Sequence, residues 1–230
     1  IDTLRQGLTR RSLNMLESLA KSDEEGDKEK YTQFWGQFGR VLKEGVGEDF
    51  ANQEKIAGLL RFSTTHSDDP IISLDSYIER MQEGQDKIYF ITADSLNTAK
   101  NSPHLEIFKQ KGYEVLLMTD VVDDWMMGFL NQYKDYSFSN VAKGEINLNA
   151  DKEEESKEET ALTDEEEALV SALTENLKDE VDSVKISKRL TTSASCLVRN
   201  EGALSSHFEQ MLKDAGHEVP TIKPWLEVNA

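Results

Sequence analysis

The stretch KIYFITADSLNTAKNSPHLEIFKQKGYEVLLMTDVVDDWMM, from Lys87 to Met127, decides the fold. Lys87 to Thr92 and Tyr113 to Thr119 are short runs of branched and aromatic apolar residues bounded by turn formers, the pattern of strands buried on both faces. Between them Ser102 is placed to cap a helix, Pro103 fills its first position, lysines stand near its end and Gly112 lies just beyond. Strand, helix, strand in that order predicts two parallel strands joined by a right-handed crossover. A further helix is expected from about Val121 to Tyr133, followed by a strand near Phe138.

Upstream, the chain reads as helical for about its first 80 residues. Leu4, Leu8, Leu13, Leu16 and Leu19 recur at helical spacing up to a charged loop from Ser22 to Glu29. Tyr31, Phe34, Trp35, Phe38, Val41 and Leu42 repeat the pattern to a turn expected at Gly45 to Asp49. Ile56, Leu59, Leu60 and Phe62 follow, and Ser73 caps a last helix ending near Met81.

Downstream, Asp151 to Glu167 holds ten acidic residues and two lysines, a composition that cannot bury a core and predicts a solvated linker. Thr163 and Glu166 have capping-box spacing at the head of a helix striped by Leu169, Leu173 and Leu177. Strands near Val184 to Leu190 and Cys196 to Arg199, a helix from Leu204 to Ala215 closed by Gly216, and a strand from Ile222 to Val228 complete the chain. The expected fold class is therefore α/β, or α+β overall: a helical region, a βαβ crossover unit, then a second, smaller mixed α/β domain. Its expected boundaries are 1–150, an acidic linker at 151–162, and 163–230.

Lysine and arginine number 26 against 44 acidic residues in the 230-residue chain, a formal charge of -18 that repels nucleic acid and anionic membranes. No apolar run is long enough to span a bilayer and no leader opens the chain. The single cysteine, Cys196, fits a reducing compartment and reads as packing material, so a cytoplasmic location is expected. Ile1 in place of methionine, and an end at Ala230 straight after an apolar run, predict that this is a piece of a longer protein.

Reactive chemistry is hard to find. A phosphate cradle needs glycines, usually with a lysine, at fixed spacing; Gly45 and Gly47 give only GxG, with Phe50 where a third glycine would stand. His66, His104, His207 and His217 are scattered too widely to hold zinc. No G-x-S-x-G elbow occurs. The one enzymatic alternative places Asp94, Asp120 and Asp123 beyond the carboxyl ends of the crossover strands, where Asp94 and Asp120 could hold magnesium for phosphoryl handling. The competing reading makes these aspartates helix caps.

Two apolar features remain. Val121, Val122, Trp125, Met126 and Phe129 share a broad helix side while Met127 points elsewhere. Leu204, Phe208, Met211, Leu212 and Ala215 form a stripe opposite Ser206, Glu209, Gln210 and Lys213. Such a stripe ordinarily packs in its own domain, although methionine and tryptophan also suit adaptable binding surfaces.

Four stretches resemble the ninety-kilodalton heat-shock chaperones, most closely in their bacterial form. They are FGRVLKEGVGEDFANQEKIAGLLRF (Phe38 to Phe62), SLDSYIERMQEGQDKIYFITADS (Ser73 to Ser95), SPHLEIFKQKGYEVLLMTDVVDDWMM (Ser102 to Met127) and VKISKRLTTSASCLV (Val184 to Val198). The resemblance implies the later part of a middle domain up to about residue 150, then most of a C-terminal domain. It places the ATP and magnesium site in an N-terminal domain outside this chain, and the arginine that reaches the ATP phosphates upstream of Ile1. The chain alone is then not an ATPase, while its parent is.

The resemblance also implies that partly unfolded clients meet apolar residues on both domains, with co-chaperones as further partners. The middle-domain tryptophan falls on Trp125, beside Met126 and Met127, and the C-terminal helix positions fall on Leu204, Phe208, Met211 and Leu212. The parent would be a homodimer through helices following Asn229. This piece is expected to be a monomer or weak dimer.

Overall fold

The computed structural model describes residues 2–67, 69, 71–146, 148, 162–204, 206–217 and 222–230, with the side chains of Ser206, His207 and Met211 outside that description. Three helices open the chain: α1 (Asp2–Ala20), α2 (Glu25–Glu48) and α3 (Gln53–Leu59). The turn expected at Gly45 to Asp49 is not there, because α2 runs on through Glu48. Its glycines serve packing: a Cβ on Gly47 would lie 2.5 Å from the Trp125 ring, so only glycine lets the indole lie against the helix.

A five-stranded sheet follows, built from β1 (Ser63–Thr64), β2 (Lys87–Thr92), β3 (Leu116–Met118), β4 (Gln132–Tyr133) and β5 (Tyr136–Asn140) in the order β1-β3-β2-β5-β4. The crossover is as expected, with β2 and β3 parallel and Phe90 opposite Leu116. β2 also pairs in parallel with β5, whereas β1 and β4 are antiparallel edges. α4 (Leu74–Glu79) precedes β2 and is capped by Ser73, whose Oγ accepts from the Ser76 N–H.

The crossover holds α5 (Leu96–Lys100), which its sequence did not announce, then a 3-10 turn at Pro103–Leu105 and α6 (Glu106–Lys111) ended by Gly112 at φ 70°. α7 (Val121–Met127) stops six residues short of the Tyr133 expected for it. The chain turns instead into the β4–β5 hairpin, whose tight turn holds Lys134 at φ 52°.

A second part contains α8 (Asp164–Leu177), β6 (Val184–Ile186), β7 (Ser195–Val198), α9 (Ser206–Asp214) and β8 (Trp225–Val228), its strands ordered β6-β8-β7. The Thr163 and Glu166 capping box forms as its spacing predicts. The linker expected at 151–162 lies outside the described residues, except for Leu162.

Each face of the larger sheet has its own core. Ile88 and Phe90 face the helices and Met126; Tyr89 and Ile91 face Leu105, Phe108 and Val115. Two small clusters, around Val198 with Trp225 and around Val184 with Val228, hold the second part. No described cluster of buried apolar residues draws on both parts.

Polar contacts join them instead. Arg189, 2% exposed, donates to the carbonyls of Val141 and Gly144 at 2.8 and 2.7 Å while paired with Glu227 at 2.9 Å. The Glu106 carboxylate accepts from the main-chain N–H groups of Thr191, Thr192 and Ser193 and from the Ser193 hydroxyl. Those donors hold its carboxyl far below the usual carboxylate range, although burial works the other way. His104 is hydrogen-bonded to the Leu197 main chain; burial, helped by Arg189, lowers its pKa to about 4.

Candidate functional site: an apolar cleft between α7 and α9

α7 is fixed at its start and along one side. Asp120 and Asp123 form a capping box, and the buried Lys43 ammonium of α2 lies 2.7 Å from a carboxylate oxygen of each. Burial raises the Asp123 carboxyl against the pull of Lys43, whereas at Asp120 the charges of Lys43 and Arg40 outweigh burial and lower it. Further along, the Trp125 ring rests on Gly47 and lies 4.8 Å from the Phe129 ring. Gln53 reinforces the contact by donating to the carbonyls of Val46 and Phe129.

That arrangement presents one wall of a cavity of about 690 Å³, lined by Trp125, Met127, Phe129 and Phe138. The opposite wall comes from the second part, where Leu204, 36% exposed, and the half-buried Phe208 look into the same space. Lys143 lies between the two walls and donates to the Ala203 carbonyl at 2.6 Å. Interiors this size hold several large side chains, and the lining sets charged groups, among them Lys87, Asp124 and Glu201, between the apolar ones.

Of the residues singled out in sequence, Trp125, Met127, Leu204 and Phe208 come together here. Met126 does not. It is 0% exposed in the core beneath the wall, on the side of the short helix turned to the sheet, next to the half-buried Trp125. Leu212 is half-buried and does not line the cavity, and the Met211 side chain lies outside the described residues. Sequence reasoning missed Phe138, Lys143 and the role of Gly47. Only the unusual density of glycine in α2 hinted at the last.

The phosphoryl-handling alternative fails on the same geometry. Asp94 and Asp120 do line one smaller cavity of about 300 Å³ at the carboxyl ends of β2 and β3. Both Asp120 oxygens, however, are taken by Arg40 and Lys43, and the described residues contain no group of three or more histidine, cysteine or acidic side chains able to hold a metal ion. The aspartates at the head of α7 are caps. Nor does any described helix have the length and apolarity to cross a membrane.

Fold and cleft together show a mixed α/β scaffold with large apolar side chains on both walls of one cavity. The chain belongs to the Hsp90 protein family, whose profile matches residues 1–227. It is 51% identical over 232 residues to the chaperone protein HtpG of Aromatoleum aromaticum, covering 100% of this chain and 36% of that protein. HtpG of Paraburkholderia xenovorans is 48% identical over 231 residues with the same coverage. The chain thus spans about a third of the length of the curated relatives it matches. Among solved structures, the middle domain of a Plasmodium falciparum heat shock protein superposes with a TM-score of 0.58 at 37% identity, covering 62% of this chain and 58% of that one.

Proposed function

We propose that this chain is the client-handling part of an Hsp90 chaperone, with residues 1–150 forming the later middle domain and 163–230 most of the C-terminal domain. The observation that carries the reading is the cleft itself: Trp125, Met127 and Phe138, packed on the larger core, face Leu204 and Phe208 of the second part across an open space. The partner chemistry is a partly unfolded polypeptide, and the residues proposed to touch it are Trp125, Met127, Leu204 and Phe208, with Met211 and Leu212 on the same helix.

In the longer protein the cleft would be moved by ATP-driven rearrangement. The ATP and magnesium site belongs to the portion of the relatives that this chain does not span, so no ATP hydrolysis is expected from the chain alone. A homodimeric, cytoplasmic parent that works with co-chaperones completes the reading.

The test is binding of a fluorescent, partly unfolded client by the wild type, Trp125→Ala, Phe208→Ala and the double variant. Each single change is expected to cost about 1–2 kcal/mol, roughly a five- to thirtyfold loss of affinity. Unaltered affinity in the double variant, with folding intact by circular dichroism, would remove the cleft as the site.

A further inference from the structure

Among the charged groups that line the cleft, Lys143 lies between its two walls. Lys143 follows β5, lines the cavity, and is partly buried by the loop carrying Ala203. A lysine ammonium has three N–H donors and a full charge. Its described partner is a single neutral carbonyl, that of Ala203 at 2.6 Å. No described carboxylate comes within ion-pairing distance, although Asp124 and Glu201 also line the cavity and Asp124 exerts a favourable field from further off. Burial, reinforced by Arg199, holds the Lys143 pKa below its ordinary value. Lys43, which is more deeply buried, has two carboxylates at 2.7 Å.

A ligand that fills the cleft takes water from the remaining Lys143 N–H donors, so one that brings an acceptor to them is favoured. Lys87 lines the same cavity, and Asp124 and Glu201 set two carboxylates in the same lining. At about 690 Å³ the space exceeds any single side chain and suits a short run of three or four large residues. Resting on the client-binding reading above, we propose that the cleft selects apolar polypeptide segments that carry a carboxylate next to their apolar run, and that Lys143 is the specificity-determining residue that receives it.

The measurement uses three fluorescein-labelled octapeptides with a common leucine–phenylalanine–leucine core followed by aspartate, asparagine or lysine. Each is titrated against the wild-type chain, Lys143→Gln, Lys143→Arg and Trp125→Ala. The aspartate peptide is expected to bind the wild type about tenfold more tightly than the asparagine peptide, and the lysine peptide most weakly. The preference should vanish in Lys143→Gln and persist in Lys143→Arg, while the asparagine peptide binds all three with similar affinity. That last comparison separates a lost charge from a disturbed cleft. Equal affinity of the wild type for all three peptides, or a preference that survives Lys143→Gln, overturns the proposal while leaving the cleft intact. If no peptide binds, or Trp125→Ala changes nothing, the client-binding reading falls and takes this proposal with it.

Discussion

The interior of the five-stranded part and its junction with the three-stranded part are built from different materials. Inside, Phe108, Leu105 and Val115 are fully buried against Tyr89 and Ile91, and stability there comes from apolar area removed from water. At the junction the contacts are charge-assisted and directed largely at main-chain atoms: Arg189 on Val141 and Gly144, Glu106 on residues 191–193, Lys143 on Ala203. Apolar packing is cooperative and short-ranged, whereas at the junction the exposed Glu106 bonds can exchange with water at small net cost and only the buried Arg189 bonds are costly to lose. The cleft has one wall on each side of this polar junction.

The largest effect should come from the core. Phe108→Ala removes a fully buried ring and is expected to cost about 3–5 kcal/mol, seen as a lower urea midpoint for the five-stranded part as a whole. A loss below about 1 kcal/mol would mean that this core is not what holds the sheet.

Arg189→Met comes next. It leaves Glu227 buried with only the Ser187 hydroxyl and the Trp225 N–H as donors, and should cost about 3 kcal/mol within the second part. Hydrogen exchange is predicted to accelerate in β6–β8 and at the junction while β2 and β3 remain protected. Equal acceleration in both sheets would show that the two parts form one cooperative unit.

Acid should act on the seam through His104. Its folded-state pKa of about 4 lies below the ordinary histidine value, so the opened state takes up the proton more readily. The stabilisation is full at neutral pH and is lost as pH falls from about 6.5 towards 4, amounting to about 2–3 kcal/mol at most. Hydrogen exchange at the junction should therefore quicken across that window, and His104→Phe should flatten the dependence. A junction indifferent to pH in the wild type would remove His104 from the seam.

Glu106→Gln is the mildest change. It keeps the shape and removes the charge that three N–H groups converge on, for about 1 kcal/mol, detectable as faster exchange at Thr191 to Ser193 alone.

The same division explains what the sequence disclosed. Local periodicity and caps showed the crossover, the Ser73 and Thr163 caps and the existence of α9, which runs Ser206–Asp214 and so leaves out Leu204 and Ala215, because each is settled within a few residues. Long-range packing decided the rest. Gly45 and Gly47 look like a turn until Trp125 is seen lying on the helix, and α7 ends early because the β4–β5 hairpin takes Gln132 and Tyr133. Glu106 meets its partners about 85 residues away, and no pattern around either segment announces the match. In the cleft, Trp125 and Phe208 stood out as surplus apolar residues. Lys143 resembled any surface lysine until its burial and lone carbonyl partner were visible.

The account turns on whether one client segment touches both walls. A photoreactive group on the central residue of the leucine–phenylalanine–leucine peptide, irradiated in complex with the wild-type chain and mapped by mass spectrometry, tests this directly. Adducts are predicted on both the Trp125 to Phe129 wall and the Leu204 to Phe208 wall. Adducts confined to one wall, or scattered over the exposed apolar residues of α1 such as Leu4 and Leu8, would contradict it.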